Sequence, residues 1–245
     1  MARTFLIRGM LCGLIMGLVV FAVAKILGEP NVEGAIGVED HIAQMAGEAP
    51  EPELVSRALQ AGWGLFTGVM LFSIAIGGLF SLLFAVAWGR MGRLGPRASA
   101  AILAVLSFVA VYVVPFAKYP ANPPSVGSPD TIGFRTELYF GLIVISIVAM
   151  VAAVNLGRAL VDRVGPWNAW IVAGLGYLVL AAAAYLLLPT IDEVPAVFPA
   201  TLLWQFRTVA FVLQLILWGG VGLLFGWLTE RQLAAKAVPA RRRPA

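Results

Sequence analysis

Residues 61–88 read AGWGLFTGVMLFSIAIGGLFSLLFAVAW, a run without a single charged side chain, framed by Arg57 before it and Arg90 after it. A hydrocarbon core about 30 Å thick takes ~20 helical residues to cross, so this stretch is expected to be a transmembrane helix. Five more runs of the same kind lie at 6–27, 98–117, 137–160, 168–188 and 207–228. The fold class that follows is all-α, a polytopic membrane helical bundle of six transmembrane helices. A single transmembrane domain then fills 1–231. Residues 232–245, ending in Arg241-Arg242-Arg243, are expected as a disordered basic cytoplasmic tail that touches anionic lipid.

Composition agrees with a lipid-solvated surface. The 245 residues are 60% hydrophobic and only 12% charged, and the mean hydropathy is +0.91; a water-facing globule needs far more charge. The formal charge of +4 then reflects topology and not nucleic-acid binding. Cys12 is the single cysteine, so no intramolecular disulfide exists and helix packing alone holds the fold.

Charge placement gives an orientation. With both termini cytoplasmic, the inner segments hold Arg3, Arg8, Arg90, Arg93, Arg97, Arg158, Arg163, Arg231, Lys236, Arg241, Arg242 and Arg243, the majority of the 17 basic residues. That is the positive-inside pattern. The outer segments hold Glu29, Glu33, Glu39, Asp40, Glu48, Glu51, Glu53, Asp130, Glu137, Asp192 and Glu193, nearly all of the 13 acids. Acids hardly influence topology, so their bias has another cause. The first run also reads as a signal sequence, with Arg3 and Arg8 ahead of Ala22-Val23-Ala24, yet it is long for one and continues past Lys25.

Small residues recur every fourth position, as Gly9, Gly13 and Gly17, Gly64 and Gly68, and Gly222 and Gly226. This spacing lets helix backbones approach closely, for packing or for a sliding or dimer face. A weak parallel repeat is visible where alternate helices begin with arginine: Ser56-Arg57-Ala58, Phe134-Arg135-Thr136 and Phe206-Arg207-Thr208. Two similar inner turns follow, Gly89-Arg90 to Gly95-Pro96 and Gly157-Arg158 to Gly165-Pro166, and the next helices are expected to end at Pro115 and Pro189.

The first outer loop, 28–60, is the largest polar segment, with a short helix expected over 38–45 and a second start near Glu53. It contains the only histidine, His41, directly after Glu39 and Asp40 and one helical turn before Met45. Imidazole with carboxylates suits Co²⁺, Ni²⁺ or Zn²⁺ better than Mg²⁺. Asp192-Glu193, between Pro189 and Pro195, is either a second metal contact or the counter-charge for Arg57, Arg135 and Arg207 at the same level. Met10, Cys12 and Met16 are soft donors within the first run, equally at home as packing side chains. No phosphate-cradling GxxxxGK[ST] loop, HExxH helix, CxxC pair or GxSxG elbow occurs.

Two motifs carry a resemblance. Pro115-Phe116-Ala117-Lys118-Tyr119-Pro120-Ala121-Asn122-Pro123-Pro124 leads to Thr131-Ile132-Gly133-Phe134-Arg135-Thr136. Glu193-Val194-Pro195-Ala196-Val197-Phe198-Pro199 leads to Leu203-Trp204-Gln205-Phe206-Arg207. With Arg8-Gly9, Gly28-Glu29-Pro30 and Trp167-Asn168-Ala169, they resemble the CbtA family of cobalt transporter subunits over most of 5–231.

The resemblance implies cobalt uptake linked to cobalamin synthesis in the bacterial cytoplasmic membrane, with Co²⁺ as cargo, no resident cofactor and no enzymatic step. It also implies a small single-helix CbtB-like partner with a histidine-rich terminus. Members carry further histidines in the first outer loop, and here only His41 stands there, so the partner's histidines would complete a site. The metal contacts expected in this chain are Glu39, Asp40, His41, Asp192 and Glu193. Two other readings fit the same residues. One is a membrane scaffold for a small subunit. The other is an intramembrane enzyme on lipid, its phosphate head group held by Arg57, Arg135 and Arg207.

Overall fold

The computed structural model describes residues 2–47 and 54–237; Glu48, Glu51 and Glu53, and the tail beyond 237, lie outside the described residues. Among the described residues five helices are long and apolar enough to cross a membrane. They are α1 (Arg3–Ala46), α2 (Arg57–Ala87), α3 (Pro96–Lys118), α4 (Pro129–Leu187) and α5 (Ala200–Ala235). No strand occurs among these residues, in keeping with an all-α chain.

The fourth helix holds two of the expected runs. At Gly165 the backbone takes φ 79° and ψ 158°, a region open essentially to glycine alone, and Pro166 restarts the helix. The two arms fold back on each other. Ser146 and Tyr177 share a hydrogen bond of 2.7 Å between hydroxyls, although 31 residues of straight helix would hold them about 46 Å apart. Trp170 lies over Gly157, where an added Cβ would stand 2.7 Å from the indole ring.

Two expectations for the outer ends need correction. The loop 28–60 is largely not a loop, because α1 continues through it to Ala46. The stop at Pro115 is also absent, since α3 runs on to Lys118. Both prolines are preceded by one wide π turn, Ala24–Gly28 before Pro30 and Val109–Val113 before Pro115. In each turn the closing N–H reaches five residues back, from Glu29 to the Ala24 carbonyl and from Val114 to the Val109 carbonyl. That wider turn makes room for a ring that would clash with the carbonyl four residues earlier in a regular helix. At the other end of the chain, the helix of α5 persists to Ala237, past the expected boundary at 231.

Tertiary contacts divide the chain into two compact units, Met1–Val105 with Thr208–Ala245, and Leu106–Arg207. In the first, α1 lies against α2 with backbone on backbone. A Cβ on Gly9 would stand 2.2 Å from the Gly77 carbonyl oxygen, and one on Gly13 would stand 2.2 Å from that of Ser73. The glycine spacing therefore packs the bundle. The end of this pair that holds Phe5 is closed by Phe5, Phe80, Phe84 and Phe225, with Phe84 and Phe225 centred 5.0 Å apart. There, Arg8 donates to the Thr229 hydroxyl at 2.8 Å, and Arg97 pairs with Glu230 at 2.5 Å.

In the second unit Val114, Ala149, Ala153 and Tyr177 form the buried core, and the Tyr185 hydroxyl donates to the Val114 carbonyl.

Candidate functional site

The acidic segment of the first unit lies on the extension of α1 beyond its apolar run. Glu29 and Glu33 are one turn apart and share a face, and both meet Arg57: its Nη2 lies 2.6 Å from Glu29 and its Nε 3.2 Å from Glu33. Two of the acids are thus matched to the arginine that opens α2. Further out, Glu39, Asp40 and His41 are all exposed. Consecutive residues fan about 100° apart around a helix, so the three cannot converge on one point; His41 and Met45, four apart, share a face. Among the described residues no group of three His, Cys, Asp or Glu is placed to hold a metal ion.

The outer loops of the second unit are built by polar contacts. Glu193 accepts from the Ser128 backbone N–H at 2.8 Å and from the Thr131 hydroxyl at 2.9 Å, and Arg135 Nε stands 3.5 Å away. The Ser128 N–H first, then Thr131 and Arg135, hold its carboxyl below the usual carboxylate range. Arg135 also donates to the Ser128 carbonyl at 3.0 Å, and a Cβ on Gly127 would fall 2.0 Å from its guanidinium.

Of the three arginines weighed as partners for Asp192-Glu193, Arg135 fills that role. Arg57 is turned to Glu29 and Glu33. Arg207 donates to Asn122 Oδ1 at 2.8 Å and to the Ala121 carbonyl at 3.3 Å. Asp192 itself is exposed.

The proline-rich segment after α3 is pinned at its start as well. Lys118 Nζ donates to the Tyr185 carbonyl at 2.7 Å, a cation at a helix C-terminus, and the Tyr119 hydroxyl donates to the Pro189 carbonyl at 2.8 Å. These loops enclose a cavity of about 460 Å³, whose polar lining includes Asn122, Arg135, Tyr139, Glu193 and Arg207. Sequence reasoning singled out its arginines through the Phe-Arg-Thr repeat but missed Asn122, Ser128 and Thr131. The doublet Ser128-Pro129, which caps the short turn Pro129–Thr131, was the available signal.

The soft donors of the first run serve packing. Cys12 is fully buried, Met16 seats on Gly220, where a Cβ would come within 2.2 Å of its methyl carbon, and Met10 is exposed on the helix surface.

The chain belongs to the family described as "Probable cobalt transporter subunit (CbtA)", whose family model matches residues 2–230. No curated protein and no solved structure matches it.

Proposed function

We propose that this chain is the multi-pass subunit of a Co²⁺ uptake system in the bacterial cytoplasmic membrane, non-enzymatic and without a resident cofactor, supplying cobalt for cobalamin synthesis. Counting the two arms of α4 separately, each long enough to span, supports six crossings, and the positive-inside charge pattern supports cytoplasmic termini. The observation that carries the metal reading is the unbroken run of α1 from its membrane segment to Ala46. At ~1.5 Å per residue it sets Glu39, Asp40 and His41 about 18 Å along the axis beyond Leu27.

Exposed carboxylates raise the local cation concentration, and Glu39, Asp40 and His41, which point apart, meet an ion one at a time and so release it readily. Asp192 and Glu193 are the further acids that the charge pattern assigns to the outer side, Glu193 while committed to Arg135. A histidine-bearing single-helix partner of the CbtB kind completes the coordination that one histidine leaves open. The membrane potential supplies about 4.6 kcal/mol to a dication at 100 mV, enough for inward movement without nucleotide.

The test is radiolabelled Co²⁺ uptake into cells expressing the chain with and without that partner, beside a triple variant Glu39→Gln, Asp40→Asn, His41→Ala. Uptake that needs the chain and falls in the triple variant supports the reading. Uptake untouched by the variant moves the metal contacts elsewhere, and no uptake even with the partner leaves a scaffold.

A further inference from the structure

The cavity of the second unit carries a charge imbalance that cation transport does not use. Its charged lining is Arg135, Arg207 and Glu193. Glu193 is matched to Arg135 and two further donors. Arg207, half-buried, donates only to the neutral acceptors of Ala121 and Asn122, and among the described residues no carboxylate pairs with it. Its two bonds leave three of the five guanidinium N–H groups unspent. Asp130, Glu137 and Asp192 are exposed and do not line the cavity, so they do not supply the missing charge. A guanidinium withdrawn from water without a counter-ion selects an oxyanion.

The walls narrow the class of anion. Ile132 and Phe140 line the same cavity and are nevertheless 56% and 61% exposed, which in a membrane protein means exposure to acyl chains. Tyr139 stands one helical turn from Arg135 and also lines the cavity, and Trp204, 72% exposed, lies one turn before Arg207. Such aromatic side chains mark the headgroup level of a bilayer.

We propose that the cavity is a phospholipid site: Arg207, with Arg135 beside it, takes the phosphate of an anionic lipid, and the acyl chains leave across Ile132 and Phe140. The net positive lining favours phosphatidylglycerol over phosphatidylcholine. The site needs no cobalt: it shares Glu193 with the metal reading but takes nothing from Glu39, Asp40 or His41.

Native mass spectrometry of the full chain, delipidated and then offered phosphatidylglycerol, phosphatidylcholine or inorganic phosphate, tests it. Phosphatidylglycerol is expected to be retained in preference to phosphatidylcholine, about tenfold less in Arg207→Gln, with much of the binding kept in Arg207→Lys. Equal retention of the two lipids, or equal retention by wild type and Arg207→Gln, overturns the proposal. So does binding of inorganic phosphate without retention of phosphatidylglycerol, which would make this a free-anion site. Should Arg207→Gln fail to fold, Phe140→Asp decides: it sets a carboxylate on the acyl exit and leaves the Arg207 bonds alone. Reduced phosphatidylglycerol retention supports the site, and unchanged retention refutes it.

Discussion

The two units solve the problem of polar groups near a bilayer in opposite ways. The first brings α1 and α2 together backbone against backbone at Gly9, Gly13 and Gly77, and its carboxylates run along the extension of α1, paired at Glu29 and Glu33 and exposed at Glu39 and Asp40. The second keeps a cavity, and its arginines and Glu193 are woven into loop backbone at Ser128 and Ala121 and onto the Asn122 side-chain oxygen. Where the hydrophobic effect gives helices no reason to associate, fit between backbones is what remains. Where loops must hold shape at the membrane edge, charge-assisted hydrogen bonds do it. One unit is thus sensitive to volume and the other to charge.

Substitutions separate the two. Gly77→Leu should be the most damaging, since even a Cβ there meets the Gly9 carbonyl oxygen at 2.2 Å; a destabilisation beyond about 3 kcal/mol is expected, seen as loss of the monodisperse peak in size-exclusion chromatography. A well-behaved Gly77→Leu protein would break the comparison.

Glu193→Gln should come next, lowering the melting temperature of the purified chain at neutral pH. Because the folded state holds this carboxyl below its unfolded value, its contribution is present above the unfolded pKa, ~4.3, and is lost as pH falls through the lower folded one. The wild-type melting temperature should therefore converge on that of the variant on acidification; a constant gap down to pH 2 would contradict the assignment.

Glu33→Gln should cost less, within about 1 kcal/mol, because this carboxylate is 70% exposed, such pairs are screened, and Arg57 keeps its partner Glu29. Its effect should shrink further in high salt. Smallest of all is Gly141→Ala, where an added Cβ meets nothing within 4 Å; calorimetry should show no loss, and helix propensity favours a slight gain.

Much of this was legible one residue at a time. Runs of apolar residues located the helices, because length and hydropathy are local quantities. Gly9, Gly13 and Gly17 declared a packing face through their spacing, and the arginine-led repeat pointed at Arg135. What escaped depends on partners distant in sequence or on alternative hydrogen-bond registers. Pro115 reads as a breaker because nothing local signals that a π turn will absorb it. The cavity escaped because Asn122 meets Arg207 across 85 residues. Glu193 could be read as a metal contact or an ion-pair partner from sequence, and only the approach of Ser128 and Thr131 shows how heavily its lone pairs are committed.

The seating of α1 also limits how its outer end can move. With Gly9 and Gly13 pressed on the carbonyls of Gly77 and Ser73, turning the rod about its own axis by one residue would drive a side chain into the neighbouring backbone, so its azimuth is fixed. The same hold continues past the π turn Ala24–Gly28, where Ala24 is buried, Lys25 Nζ donates to the Ala61 carbonyl at 2.9 Å and Glu29 pairs with Arg57. The acidic arm is therefore a bracket: braced at its root by Arg57 on Glu29 and Glu33 and by the burial of Ala35, it presents Glu39, Asp40 and His41 in one fixed order around the helix.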